Sequence, residues 1–185
     1  MTDVSSPPST VVVRKATRAD IPALEALIVA SAERLGEEFY EPAALEMAIR
    51  HVFGVDTDLV DDGTYLVAEI DGAIAGCGGW SRFGTLFGGD RFADRSNAML
   101  VPGEDAARIR AMFIDPGFAR RGVGSAIMTA AEDAARAAGF DRLALMATLS
   151  GVDFYRAHGF VAEPGITVDA GGVAVPFVPM NKALG

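Results

Sequence analysis

Six consecutive residues, Arg120-Arg121-Gly122-Val123-Gly124-Ser125, have the types and spacing that bind an anion. They follow the apolar run Met112-Phe113-Ile114 and precede an alanine-rich stretch, so they read as a turn between a strand and a helix. At such a turn the first helical amides lack carbonyl partners, and the helix dipole adds positive potential; both favour phosphate oxygens. Glycine at 122 and 124 removes Cβ atoms where the backbone must approach a ligand. Two common phosphate loops do not fit. A P-loop needs a lysine directly after its last glycine, and none follows here, which excludes ATP held in that way. A dinucleotide fingerprint counted from Gly122 requires its third glycine where Ile127 stands, which argues against NAD.

The elements that must position this turn follow from hydrophobic period and punctuation. Val11–Thr17 is a β-branched first strand, and Thr17 or Asp20 caps a helix carrying Ile21, Leu24, Leu27 and Ile28 at helical spacing. A second helix starts at Glu41 and turns Leu45, Ala48, Ile49 and Val52 inward. Two strands then meet at Asp71-Gly72 as a hairpin. Residues 84–105 are too many for a hairpin loop and read as a lid or binding loop. A fourth strand holds Arg108 and Arg110 on one face, either as edge charges or with one of them facing a substrate carboxylate. The anion turn leads to a helix over 123–138 that stops at Gly139. A fifth strand starts at Arg142 and is apolar nearly throughout, as in a sheet covered on both faces. A short helix ends at Gly159, and a tail strand from Val173 to Met180 contains Pro176 and Pro179, which push it towards a sheet edge open to pairing in a homodimer.

Bulk composition narrows the partners. The chain has 185 residues, half of them hydrophobic, and a formal net charge of −9. That length suits one domain, here 11–185, after a disordered lead-in over residues 1–10. The negative field repels nucleic acid and anionic membrane. No apolar run approaches the roughly 18–20 residues of a membrane span, and the N-terminus lacks a secretory pattern, so the expected location is cytoplasmic. Cys77 is the one cysteine and reads as a small buried hydrophobe; His51 and His158 stand apart at helix ends and make no metal site.

The order strand, glycine turn, alanine-rich helix, Gly139-Phe140, strand, and then Phe154-Tyr155-Arg156-Ala157-His158-Gly159-Phe160 resembles the GNAT superfamily of N-acetyltransferases. The resemblance implies an α/β (α+β) single-domain fold: a central mixed, mostly antiparallel twisted sheet of six to seven strands flanked by about four helices. It implies acetyl-CoA as cosubstrate, no metal, and direct acetyl transfer to a primary amine of a small molecule or peptide. By the same resemblance the backbone of Met112, Phe113 and Ile114 bonds the pantetheine arm, Arg120, Arg121, Gly122, Val123, Gly124 and Ser125 hold the pyrophosphate, and Tyr155 protonates the departing sulfur. A bulge in the fourth strand and its splay from the fifth are implied too, leaving amides for the cofactor. This chain departs from the family pattern at Ala119, where Gln or Arg is usual, and lacks the asparagine that often precedes the tyrosine helix; Thr148 and Ser150 are hydroxyls nearby without an assigned role. Trp80, Phe83, Phe87 and Arg110 are candidates for the acceptor side, with core packing an equal reading for the aromatics. Glu33, Glu37 and Glu38 lie beside the expected acceptor cleft and read mainly as surface acids, leaving ordered water to carry the amine's proton. A non-catalytic acyl-CoA-binding or sensor module on the same fold is the alternative.

Overall fold

A computed structural model describes residues 10–185, and its elements follow the periods of the chain. The lead-in assigned to residues 1–10 lies, apart from Thr10, outside the described residues. Strand β1 is Val11–Lys15. Thr17 and Asp20 then close a capping box, and Asp20 also accepts two bonds from Arg14, at 2.8 and 2.9 Å. On that platform helix α1 (Ile21–Gly36) begins with Pro22 in its first turn and buries Leu24, Leu27 and Ile28. Helix α2 (Pro42–His51) turns Ala44, Leu45 and Ala48 inward. A third helix, α3 (Thr57–Asp61), is too short to show a helical period in sequence; it is set by the Asp56 carboxylate, which accepts from the Asp58 amide.

Strands β2 (Tyr65–Ile70) and β3 (Ala73–Ser81) form the expected hairpin. Asp71 and Gly72 take φ of 52° and 80°, the primed-turn geometry that matches strand twist. The chain continues through β4 (Ala107–Ile114), α4 (Val123–Ala137), β5 (Arg142–Ala147) and α5 (Val152–Ala157). It ends in β6 (Val161–Ala162), β7 (Ile166–Ala170) and β8 (Val173–Ala183). The sheet order is β1-β2-β3-β4-β5-β8-β6, with β7 also pairing β8. Among the described residues only β4 and β5 run parallel. One apolar core, with Ile127, Met128, Leu143 and Leu145, gathers under α4; another, with Leu24, Ile28, Leu59 and Val67, gathers under α1 to α3.

Two strand placements correct the sequence reading. β4 lies between β3 and β5, so Arg108 and Arg110 are not edge charges. β8 has strand partners along its whole pairing length, though on both sides only near its end: residues 178–183 pair with β5, 180–181 also with β6, and 173–177 with β7. Over 173–177 the ladder with β7 is the one pairing among the described residues, so that part of β8 keeps the edge character read from its prolines, whereas 178–183 lies inside the sheet. The prolines fit because β8 changes partner along its length. Pro176 lies outside the β5 ladder, and Pro179 accepts from the Glu163 amide through its carbonyl at 2.9 Å.

The register of β4 prepares the site. Cys77 faces Phe113 and Gly79 faces Arg110, so Ala111 and Met112 together oppose Gly78. This is a bulge, with Ala111 at φ 50°. A Cβ on Gly78 would overlap Met112 Sδ, so the bulge depends on that glycine. Beneath it the buried Tyr65 hydroxyl donates to the Ala111 carbonyl at 3.2 Å and lies 3.3 Å from Cys77 Sγ. β4 and β5 pair only at Ala107–Leu143 and Arg108–Ala144, and then part. The structure has both the bulge and the splay.

Candidate active site

The splay opens a cleft of about 500 Å³ bounded by the β4 bulge, the start of α4, the β5–α5 turn and α1. The anion turn forms its rim. Asp115 caps a tight turn at Pro116–Phe118 by accepting from the Gly117 amide at 2.7 Å. Arg120 and Gly122 then adopt left-handed φ of 64° and 80°, and α4 starts at Val123. Because the cap residue is Gly122, no side chain occupies the first amides of the helix. Both glycines line the cleft, and each has a further structural reason of its own. Gly122 is required by its φ, since a Cβ there would touch nothing within 4 Å; a Cβ on Gly124 would press on the Phe154 ring at 3.1 Å.

Charge and hydroxyls converge on this rim. Arg120 lines the cleft, and the Arg121 guanidinium lies 5.2 Å from the Phe118 ring centre. Neither has an ion pair among the described residues. Ser125 Oγ is 3.1 Å from His158 Nε2, joining α4 to the end of α5, and burial pulls His158 below its usual pKa.

Tyr155, carried by α5, lines the cleft wall with its ring set edge-on to Phe154 and Phe160, at 5.3 and 5.9 Å. Burial alone pushes its phenol well above the usual range, so it stays protonated. Met112, Phe113 and Ile114 line the same cleft. The Ile114 amide donates to Ser31 Oγ at 3.3 Å. Tyr40 completes the wall: its hydroxyl accepts from the Leu149 amide at 2.9 Å and donates to the Pro176 carbonyl at 3.1 Å. Burial pushes that phenol up to about 12. Sequence reasoning missed Ser31, Tyr40 and Phe53, which reach the cleft from α1 and the ends of α2. No motif marks them, and an apolar stripe does not single out a serine or a tyrosine.

An amide-rimmed anion turn, a splayed strand pair and a protonated tyrosine thus share one cleft. Residues 26–160 match the Acetyltransferase (GNAT) family. The chain belongs to that family. It is an acyltransferase of the acetyl-CoA-dependent kind. Solved structures repeat the fold of this acetyltransferase over nearly its whole length. A GCN5-related N-acetyltransferase from Rhodopseudomonas palustris is 23% identical, with a TM-score of 0.70 over 97% of this chain and 99% of that one. The PaiA N-acetyltransferase from Thermoplasma acidophilum, solved with coenzyme A, is 16% identical, with a TM-score of 0.63 over 94% and 99%. A ribosomal-protein-alanine N-acetyltransferase from Brucella melitensis is 18% identical, with a TM-score of 0.61 over 94% and 99%. No curated protein matches the chain in sequence.

The acceptor-side candidates of this acetyltransferase have other surroundings. Trp80 packs edge-on to Phe140 at 6.0 Å in the core under α4, and does not line the cleft. Phe83 bridges to Met99 at the base of the long loop and lines a separate hollow that also holds Asp56 and Arg95. Arg110 is buried, and its guanidinium bonds Asp56 at 2.6 Å, the Thr85 carbonyl at 2.9 Å and the Gly88 carbonyl at 2.6 Å. Glu33, Glu37 and Glu38 are exposed and outside the cleft lining, with Glu37 paired to Arg34. Beside the cleft is a smaller chamber of about 60 Å³ that shares Phe53, Met112, Phe113, Thr148 and Tyr155 with it. Among the described residues no three metal-ligating side chains cluster, and no helix is long and apolar enough to cross a membrane.

Proposed function

We propose that this acetyltransferase, as a single domain over 11–185 working in the cytoplasm, transfers acetyl from acetyl-CoA to a primary amine of a small molecule or peptide. Tyr155 is its proton donor. The observation that carries the reading is the cleft lining, where a buried tyrosine shares one wall system with an unpaired arginine and an uncapped helix start.

Bound acetyl-CoA supplies an acetyl group already activated as a thioester. The residues do the rest. Amides at the start of α4 bond pyrophosphate oxygens, and the Arg120 charge takes the place of the side chain that Ala119 lacks. Amides of Met112 to Ile114, unpaired by β5, bond the pantetheine arm, and Ser31 yields the Ile114 amide when it does so. Full proton transfer from a phenol to a thiolate is uphill, since the groups ordinarily titrate near ~10 and ~8.5, and burial widens the gap. The larger contribution of Tyr155 is therefore a hydrogen bond that strengthens as charge develops on sulfur. The family relatives bearing coenzyme A or named for amine acetylation support this reading.

A thermal shift with acetyl-CoA, run beside ATP and NAD at equal concentration, tests the binding half. Ligand at 100 times its Kd adds about 2.7 kcal/mol, which moves Tm by several degrees in a domain of this size. No shift with acetyl-CoA, or a larger one with NAD or ATP, sinks the proposal. Release of free thiol in the presence of amines tests the catalytic half, with Tyr155→Phe expected to lower kcat about 100-fold at unchanged acetyl-CoA affinity. Because the phenol is raised, its ionisation does not switch off activity as pH climbs to 9. Binding without turnover for any amine would favour the non-catalytic sensor.

A further inference from the structure

The small chamber beside the cleft bears on the acceptor, and its reading rests on acetyl-CoA occupying the cleft itself. Its walls are Phe53, Phe87, Met146 and Phe177, with Tyr155 at the boundary to the cleft. The rings brace one another: Phe53 stands edge-on to Phe177 at 6.2 Å and to Phe113 at 5.5 Å, while Phe87 lies 5.7 Å from Phe177. These walls come from the α2–α3 connection, the long loop, β5 and β8. Arg110 is the one ionised side chain in the lining, and its guanidinium is held by Asp56 and two carbonyls. Neither the chamber nor the cleft includes a carboxylate among the described residues that line it.

An ammonium entering such a space loses its hydration and gains no free anion, because the Arg110 guanidinium already occupies the nearby Asp56 carboxylate. A free amine loses far less. Size limits the group further. One water needs about 10–15 Å³, so a chamber of about 60 Å³ takes roughly four to six non-hydrogen atoms. We propose that the acceptor is a small apolar primary amine that enters uncharged, its hydrocarbon part held by Phe53, Phe87, Met146 and Phe177. Its nitrogen lone pair forms the bond to the acetyl carbon, and the carbon–sulfur bond breaks with its electron pair going to sulfur. Tyr155 hydrogen-bonds the sulfur as charge develops on it, and the surplus proton on nitrogen passes through water to that sulfur. Free thiol and a neutral amide result, so no enzyme carboxylate is needed as base.

The experiment compares isobutylamine, 1,4-diaminobutane and glucosamine as acceptors, with acetyl-CoA binding followed separately by thermal shift. Isobutylamine should exceed both others in kcat/KM by about 100-fold, the size expected when a second charge or several hydroxyls must be desolvated. Its kcat/KM on total amine should rise about tenfold per pH unit from 7 to 9, tracking the uncharged fraction. Phe87→Glu, a change on a half-buried loop residue, should move preference towards the diamine. Preference of the wild type for the diamine or the amino sugar overturns the inference. A plateau in kcat/KM well below the amine's own pKa overturns it too, because the ammonium is then the bound form. Acetyl-CoA binding with none of the three amines acetylated overturns it while leaving the coenzyme site standing. Absence of acetyl-CoA binding removes the reading beneath it.

Discussion

Arg91, Arg95 and Arg110, in and behind the long loop, are held by carboxylates, whereas Arg120 and Arg121, in the turn before α4, have none among the described residues. Arg91 pairs with Glu25 and donates to the Phe53 carbonyl at 3.2 Å. Arg95 bonds Asp56 at 2.8 Å and Asp58 at 2.6 Å, and Arg110 bonds the far oxygen of Asp56 at 2.6 Å. Backbone bonds from Gly89 to Val52 and from Asp90 to Val55 finish the attachment, at 2.9 and 3.0 Å. The loop over 84–105 is thus pinned against α3 and forms a chamber wall. In the turn, by contrast, two cations remain unneutralised in a chain with 25 acidic residues. A buried, paired arginine fixes structure; an exposed, unpaired one at an uncapped helix start is available to a ligand. The difference can be broken from either side.

The largest effect is expected at Asp56, which is fully buried, holds two arginines and caps α3. Asp56→Ala leaves the Arg110 guanidinium, itself buried, without a counter-charge. Loss of one partner of a buried pair costs about 3–5 kcal/mol. At roughly 2–4 °C per kcal/mol, Tm should fall by about 10 °C in a thermal melt. Acetyl-CoA affinity of the protein that remains folded should be unchanged, because the turn before α4 does not touch this cluster. A melt within a degree of wild type would show that these arginines do not hold the loop.

Arg120→Gly should separate stability from binding with opposite signs. A non-glycine residue in the left-handed region costs roughly 1–2 kcal/mol, and Arg120 is at φ 64°. Glycine removes that strain, so Tm should rise by about 2–4 °C. A charged hydrogen bond to phosphate is worth about 1.5–3 kcal/mol, so acetyl-CoA affinity should fall by about tenfold or more by calorimetry. Unchanged affinity would return the phosphate contact to backbone alone.

Local features were legible in the sequence and non-local ones were not. The Asp71-Gly72 hairpin, the Gly122 turn and helix α4 are decided within a few residues by φ preference and period, and each stands where it was read. β8 is different. Its prolines suggest an edge, which suits Pro176 in the part paired with β7 alone, but 178–183 pair with β5, and Pro179 is accommodated through a carbonyl bond to Glu163 that no local rule reveals. The partners of Arg110 were hidden for a related reason. Alternation assigns it to a face of β4, yet its surroundings depend on Asp56 and the loop, and the Ala111–Met112 bulge depends on Gly78 across the ladder. The family resemblance supplied the bulge and the splay, which periodicity alone does not.

The smallest expected effect is at Arg121, and it tests whether the two turn arginines act alike. Arg121 is exposed, and its guanidinium rests near the Phe118 ring rather than in the cleft lining. An exposed cation–π contact is worth about 0.5–1 kcal/mol, so Arg121→Gln should lower Tm by about 1–4 °C. Its attraction for pyrophosphate acts through solvent, and the Debye length shrinks from about 10 Å at 0.1 M salt to about 3 Å at 1 M. Acetyl-CoA affinity should therefore drop only about two- to threefold at low salt, and the difference from wild type should vanish at high salt. Under the proposed direct contact of Arg120 with phosphate, the Arg120→Gly deficit should persist at high salt. Equal and equally salt-sensitive losses at both positions would mean that the turn attracts phosphate by diffuse charge, and that the left-handed arginine has no private contact with it.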